Sequence, residues 1–482
     1  MNWNLQVLGP EIALCLVGLI VLLVDMVYRR GDPGRATPYA ALLGLVACLA
    51  FTGRLVAEGP QTGFYGSITS DPFAALFRIF FCVATGIVIL TSMDYFERLP
   101  IGRGELYALL IFAALGMNLM AISSDLVMIY LAIESVSIAG YVLVAYLKTD
   151  RRSNEAALKY FLYGAVCSAV MLYGMTLLYG ATGETGIREI AARLGEAPQP
   201  LVLLSLVLIL VGFGFKISMA PFHAWAPDVY EGAPTPVTAF LSVGPKAAGF
   251  AVLLRVLMTG LPDTAAASWV PLVAALSAAT MSVGNLGALR QTNIKRLLAY
   301  SSIAHAGYML IGVVAFATEG VGLRAVLYYL LAYIIMNLGA FGVAILVGLN
   351  VGSDDISRWR GLARRAPLLS GMMAVFLLSL AGIPPTAGFF GKLFVFLAAI
   401  GSRHLWWLAV VAIANSVISL YYYAKVLREM YFGEAPTREG LVQPLAGFLA
   451  VAGCFVLTLV VGFLPGPFLN LVSSSLELLR GP

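Results

Sequence analysis

The chain has 482 residues, of which 60% are hydrophobic and only 11% charged. A soluble domain carries about 25% charged residues, so a water-soluble globule is excluded for want of polar surface to cover it. The net charge of +5 comes without a basic block and leaves no footprint for nucleic acid.

The apolar residues run in blocks of about 18 or more, enough helix to cross about 30 Å of hydrocarbon. Fourteen spans are predicted. The first, 7–27, has no basic segment before it and reads as a span rather than a cleaved signal peptide. Spans 38–57, 73–92 and 105–122 follow. The fifth, 125–147, holds Glu134, the one carboxylate deep inside a span. Tyr130, Glu134, Ser137 and Tyr141 share one helical face. A carboxylate beside a lysine that can move away from it is a charge switch; a fixed buried pair is the plain alternative. The sixth span, 156–179, carries Lys159 near its inner end.

The seventh, 201–229, is longer than a straight crossing needs, and Gly212, Gly214 and Pro221 predict a break. Lys216 then falls at mid-membrane beside unpaired carbonyls. A charge at that depth costs about 2.5–3.5 kcal/mol and calls for a partner or water; a structural ion pair would also answer it. His223, near the inner end, is a candidate inlet. In the eighth span, 236–258, Lys246 continues a stripe of Thr235, Thr238 and Ser242, and Gly244-Pro245 predicts a kink.

The ninth span is 268–288. In the tenth, 297–316, Ser301, His305 and Tyr308 line one face; His305 is a proton relay or a satisfied buried histidine. The eleventh is 322–348. The twelfth, 368–400, is interrupted at Gly382-Ile-Pro-Pro-Thr-Ala-Gly388, with Lys392 two turns later; a packing kink is the simpler reading of the prolines. The thirteenth, 404–427, contains Lys425, and the fourteenth is 446–472. Trp406, Trp407 and Tyr421 to Tyr423 fit an interfacial belt. Two long interrupted spans point to a transporter built from repeated halves.

Basic residues gather on cytoplasmic loops. With the N-terminus outside, seventeen of the 30 Lys and Arg fall on inside loops, among them Arg29, Arg30, Arg35, Lys295, Arg296 and Arg438; five, including Arg403 and Arg480, fall outside. An even span count then puts both termini outside. The remaining eight lie within spans. Arg78, Arg255 and Arg324 are near enough to span ends to snorkel. Lys159, Lys216, Lys246, Lys392 and Lys425 are the others, so five of seven lysines are intramembrane against three of 23 arginines. Arginine stays protonated, whereas lysine changes protonation readily when desolvated. The distribution suits proton exchange. Lys159 and Lys425, nearer the inner ends, could equally snorkel.

Connections are short, which predicts one membrane domain over 1–482 and no soluble catalytic domain. No G-x-G-x-x-G opens a βαβ unit and no P-loop is present, so nicotinamide, flavin or ATP would bind elsewhere. The five cysteines are scattered without a C-x-x-C pair, which argues against metal or iron–sulfur ligation.

Three stretches carry a resemblance. They are Phe213-Gly-Phe-Lys-Ile-Ser-Met-Ala-Pro-Phe-His-Ala-Trp-Ala-Pro-Asp-Val-Tyr-Glu-Gly-Ala-Pro-Thr-Pro-Val237, Gln291-Thr-Asn-Ile-Lys-Arg-Leu-Leu-Ala-Tyr-Ser-Ser-Ile-Ala-His-Ala-Gly-Tyr308 and Leu380-Ala-Gly-Ile-Pro-Pro-Thr-Ala-Gly-Phe-Phe-Gly-Lys392. Over nearly its whole length the chain resembles the antiporter-like subunits of respiratory complex I, the bacterial NADH–quinone oxidoreductase, and most closely the N type.

The resemblance implies an all-α polytopic fold of about fourteen transmembrane helices, with spans seven and twelve discontinuous. It also implies an antiporter-like inverted repeat, with the core region at about 105–430. By position, Glu134 matches the span-five glutamate, Lys216 its span-seven lysine partner, Lys246 the central lysine and Lys392 the lysine on the exit side. His305 and Lys159 match relay positions. Lysine at 392 is similar to the N type rather than the M type.

The expected function is proton translocation within a translocase whose NADH, FMN, iron–sulfur clusters and quinone reside in partner subunits, with no cofactor in this chain. Expected partners are other membrane-arm subunits, including a second antiporter-like subunit and a small K-type subunit, besides lipid and protons. The expected place is the bacterial inner membrane, with both termini periplasmic. The alternative is a subunit of a multi-subunit cation/proton antiporter. A lipid-acting enzyme would need a cluster of catalytic His, Asp and Glu near an interface, and a plain anchor would need no mid-membrane lysines.

Overall fold

In lipid every backbone polar group must be satisfied within the protein, so apolar segments of this length become helices. The computed structural model describes residues 4–28, 36–99, 102–261, 266–319, 322–402, 404–435 and 439–476, with all side chains there except those of Tyr28, Ala267, Thr318 and Glu319. The loop cations Arg29, Arg30, Arg35, Arg403, Arg438 and Arg480, and both chain ends, lie outside these residues.

The helices in order are α1 (Gly9–Tyr28), α2 (Ala36–Glu58), α3 (Pro72–Glu97), α4 (Gly104–Ile122), α5 (Leu126–Val144), α6 (Arg151–Thr182), α7 (Ile187–Arg193), α8 (Gln199–Ile217), α9 (Trp225–Gly232) and α10 (Thr235–Thr259). They continue with α11 (Ala266–Leu289), α12 (Ile294–Glu319), α13 (Gly322–Val351), α14 (Leu362–Arg365), α15 (Pro367–Ala381), α16 (Ala387–Gly401), α17 (Trp406–Phe432), α18 (Leu445–Phe463) and α19 (Pro465–Ser474). Among the described residues, thirteen helices are long and apolar enough to cross a membrane: α1 to α6, α8, α10 to α13, α17 and α18. The protein is a multi-pass membrane protein.

Predicted span 201–229 is two helices, α8 and α9, with residues 218–224 between them. Predicted span 368–400 is likewise α15 and α16, of 15 residues each. At about 1.5 Å per residue neither crosses alone. Predicted span 446–472 ends early, because Leu464 leaves the helix before Pro465 starts α19. One hairpin was not foreseen: β1 (Gln61–Gly63) pairs antiparallel with β2 (Ile68–Ser70). Its turn is left-handed at Phe64, Tyr65 and Gly66, at φ 49°, 57° and 91°, and of the three only the glycine takes that backbone at no steric cost.

Helix ends meet in two groups, as an up-and-down path requires. Arg255 of α10 reaches Asp71 before α3 and the carbonyl of Ala121 in α4. In the other group, Asp25 of α1 accepts from the Gly104 N–H of α4, and Arg98 donates to the Leu349 carbonyl of α13. The centre is α10, α12 and α13. The apolar stretches of α10, α12 and α13 are almost wholly buried, whereas that of α1 is mostly not. Those three helices carry Lys246, His305 and the tyrosines described below.

Two arginines correct the snorkelling expectation. Arg78 is fully buried and grips Glu11 with two parallel bonds of 2.9 and 3.0 Å. It also donates to Ser70 and the Val7 carbonyl. Arg255 is 3% exposed and holds Asp71 with bonds of 2.9 and 3.0 Å. A planar guanidinium matched by a carboxylate needs no water. Arg324 alone of the three is exposed.

Candidate proton path

Asp125 caps α5 by accepting the Val127 and Met128 N–H groups, which starts the helix in register to turn Glu134 and Ser137 to one side. Glu134 is half-buried, and its carboxylate accepts from Ser168 of α6. Lys216, 1% exposed, does not touch it. The ammonium donates to Ser137 Oγ at 2.8 Å, one turn along α5 from Glu134. The two members of the expected pair are held apart, each on a serine.

Lys216 ends α8, where Ser218 turns left-handed at φ 59°. Two of the carbonyls expected to be unpaired beside it are occupied. Trp225 Nε1, on α9, donates to the Phe215 carbonyl at 3.1 Å, and Met219 N–H takes that of Gly214. The expected geometry appears instead at Lys392. Its Nζ donates to the Ala381 carbonyl at the end of α15 at 2.9 Å and to Ser416 Oγ of α17 at 3.0 Å, and the Ser416 hydroxyl donates to the same carbonyl at 3.3 Å. The Tyr308 ring lies 4.9 Å from the same nitrogen. Gly382 allows this approach: at φ 89°, a Cβ there would stand 2.9 Å from Lys392 Cδ.

Lys246, 3% exposed, donates to Ser302 Oγ of α12 at 2.7 Å and lies 5.9 Å from the Tyr230 ring. The kink predicted at Pro245 does not break the helix, and α10 runs on through it. A proline deprives the carbonyl four residues earlier of its donor; that carbonyl, Leu241, receives the Tyr230 hydroxyl at 3.4 Å. Lys216 and Lys246 sit on touching helices. A Cβ on Gly249, one turn from Lys246, would lie 3.1 Å from Lys216 Cβ.

His305, 1% exposed, has a hydroxyl on each nitrogen: Tyr329 at Nδ1, 2.8 Å, and Tyr423 at Nε2, 3.4 Å. Tyr423 also bonds Ser301, neighbour of the Ser302 that holds Lys246. The structure therefore brings Lys246, Ser301, Ser302, His305 and Lys392 together around α12, with Lys216 one helix away.

Lys159 stands apart. Its side chain is 46% exposed and bonds Asp228 and Glu155, both at 2.8 Å. Arg296 takes the other Asp228 oxygen and Glu231 at 2.7 and 2.8 Å, and a cavity of about 300 Å³ opens among these groups. Lys425 caps the Gln291 carbonyl at 3.0 Å. His223 is half-buried and His404 exposed.

No carboxylate lies within 4.0 Å of the Lys216, Lys246 or Lys392 ammonium among the described residues, whereas the buried Arg78 and Arg255 each have one. The lysines rest on serine hydroxyls. A hydroxyl accepts from an ammonium and, turned, donates to a neutral amine, so it serves both protonation states. The tyrosine hydroxyls likewise serve either tautomer of His305.

Sequence reasoning missed Ser168, Ser302, Tyr329, Ser416 and Tyr423. Tyr422 and Tyr423 are not interfacial but 1% exposed, in the centre. Helical geometry held the signal: successive side chains are about 100° apart, so the run Tyr421 to Tyr423 cannot all face lipid. Among the described residues no three His, Cys, Asp or Glu gather as metal ligands.

The transmembrane family described as NADH:quinone oxidoreductase/Mrp antiporter matches residues 123–419. The NADH-quinone oxidoreductase subunit N of Moorella thermoacetica is 45% identical over 475 residues, 98% of each chain. That of Heliobacterium modesticaldum is 43% identical over 466 residues, 96% of this chain and 97% of its own. A chain of the solved respiratory complex I from Thermus thermophilus with bound aureothin is 36% identical, with a TM-score of 0.79 over 96% of this chain and 98% of that one.

Proposed function

The chain belongs to the NADH:quinone oxidoreductase/Mrp antiporter transmembrane family and, within it, to the N subunits of NADH–quinone oxidoreductase, and we propose that it moves protons along Glu134, Lys216, Lys246, His305 and Lys392. It is a proton-translocating membrane-arm subunit of that enzyme, and it works among other membrane-arm subunits. Electron transfer from NADH to quinone belongs to the partners, which hold the FMN and iron–sulfur clusters. A second antiporter-like subunit and a small K-type subunit are the neighbours we infer. The antiporter reading is the weaker one, since near-full-length relatives carry the oxidoreductase name.

The observation that carries the path is the row of buried lysines on hydroxyls, with no carboxylate within 4.0 Å of their ammonium groups among the described residues. A signal from quinone reduction changes the distance between Glu134 and the Lys216 ammonium. Lys216 then gives up its proton along Ser137 towards Lys246. Lys246 passes it by Ser302 and Ser301 to Tyr423 and His305 Nε2, and the opposite nitrogen releases a proton to Tyr329. Lys392 lies on the exit side. Moving one charge against 100 mV costs about 2.3 kcal/mol, and a two-unit pKa change is worth about 2.7 kcal/mol, so modest electrostatic switching suffices. Lys159, held by two carboxylates at the surface, belongs at most to the inlet.

The arginine distribution supports placing both termini on the periplasmic face of a bacterial inner membrane. The pair α15–α16 then completes a fourteenth crossing, in one membrane domain with its antiporter-like region at about 105–430, which contains the matched 123–419.

The test is Lys246→Ala in the assembled enzyme in proteoliposomes. Proton uptake per NADH should fall sharply with subunit content unchanged. Wild-type uptake would remove Lys246 from the path.

A further inference from the structure

A buried amide that the proposed path does not use ties its exit half together. Asn285 of α11 is fully buried. Its Nδ2 lies 3.0 Å from the Tyr308 hydroxyl of α12, 3.2 Å from Asn415 Oδ1 of α17 and 2.9 Å from its own helix's Met281 carbonyl. Its Oδ1 accepts from the Tyr422 hydroxyl of α17 at 3.0 Å. One side chain thus joins three helices with both ends of its amide satisfied.

The groups it holds are the second neighbours of the carriers. Tyr308 presents its ring to Lys392 at 4.9 Å and packs edge-on to His305, ring centres 5.9 Å apart. Tyr422 packs on Tyr423, ring centres 4.4 Å apart, and Tyr423 meets His305 Nε2 at 3.4 Å. Asn415 adjoins Ser416, the hydroxyl that holds Lys392.

We propose that Asn285 is a positioning residue for proton passage between His305 and Lys392: by fixing the Tyr308 and Tyr422 hydroxyls it sets the ring under the Lys392 ammonium and the seat of Tyr423 on His305. The inference rests on the reading of Lys392 as a proton carrier. A ring hinged only at Cβ can tilt and carry the ammonium with it; a ring tethered at its hydroxyl cannot. A leucine of similar volume fills the space but leaves both phenols without their partner, and small displacements at a transfer site cost rate steeply.

The experiment follows proton uptake per NADH oxidised, across pH, in the assembled enzyme in proteoliposomes. Asn285→Leu and Tyr308→Phe should each lower the ratio several-fold and displace its pH profile at unchanged subunit content. The double variant should be no worse than Asn285→Leu alone. A wild-type ratio and profile in Asn285→Leu overturns the proposal. If Asn285→Leu fails to assemble, Tyr308→Phe and Tyr422→Phe, which each lose one oxygen and keep the ring, decide instead; wild-type behaviour in both overturns it. Lys392→Ala separates the two readings. Uptake that survives it removes the carrier role itself, whereas uptake lost there but intact in Asn285→Leu removes only the role of Asn285.

Discussion

Buried cations in this chain fall into two kinds, told apart by what holds them. Arg78 and Arg255 are locked to Glu11 and Asp71, while Lys216, Lys246 and Lys392 rest on serines. The first kind is structural. Arg78→Leu leaves Glu11 buried and unpaired, a loss of about 3–5 kcal/mol, whereas replacing both partners with apolar residues is often neutral. Thermal denaturation of the purified enzyme should therefore show the single variant strongly destabilised and Arg78→Leu/Glu11→Leu largely restored. The bias of lysine over arginine inside spans was legible in the sequence. The arginine pairs were not, because distance from a span end says nothing of a partner 67 residues away.

Helix breaks do the positioning. At α8 the break puts Lys216 on the last turn of the first half; at α15–α16 it puts Lys392 in the second half, reaching back to the Ala381 carbonyl that ends the first half. Gly382 is what lets that reach occur. Gly382→Ala would force an L side chain into left-handed backbone, costing about 1–2 kcal/mol, and push Cβ against Lys392. Proton uptake by that variant should drop further than its modest stability loss explains, measured as uptake per assembled enzyme. Glycine and proline marked both interruptions in the sequence. Which break would offer its carbonyl to a lysine was not legible, because Trp225 reaches Phe215 only once α9 has folded back. At Pro245 the helix runs on, and the hydroxyl that takes up the orphaned Leu241 carbonyl belongs to Tyr230, a partner that emerges only on packing.

Across the whole molecule, two of the proposed carriers, Lys246 and His305, occupy the most enclosed helices, α10 and α12, and there the hydrogen-bond partners are protein hydroxyls. Composition and span pattern made the membrane fold legible, and the motifs around Lys216, His305 and Lys392 made the family legible. The hydroxyl partners come from helices far apart in sequence, Ser137 to Lys216 and Ser302 to Lys246, and emerge only on packing. The central claim is that protons cross by way of Lys216, switched by Glu134. The most direct measurement is proton uptake coupled to NADH oxidation in proteoliposomes of the assembled enzyme carrying Lys216→Ala, with Glu134→Ala beside it. The account predicts that both variants assemble and lose most of their uptake. Wild-type uptake in either one would contradict it.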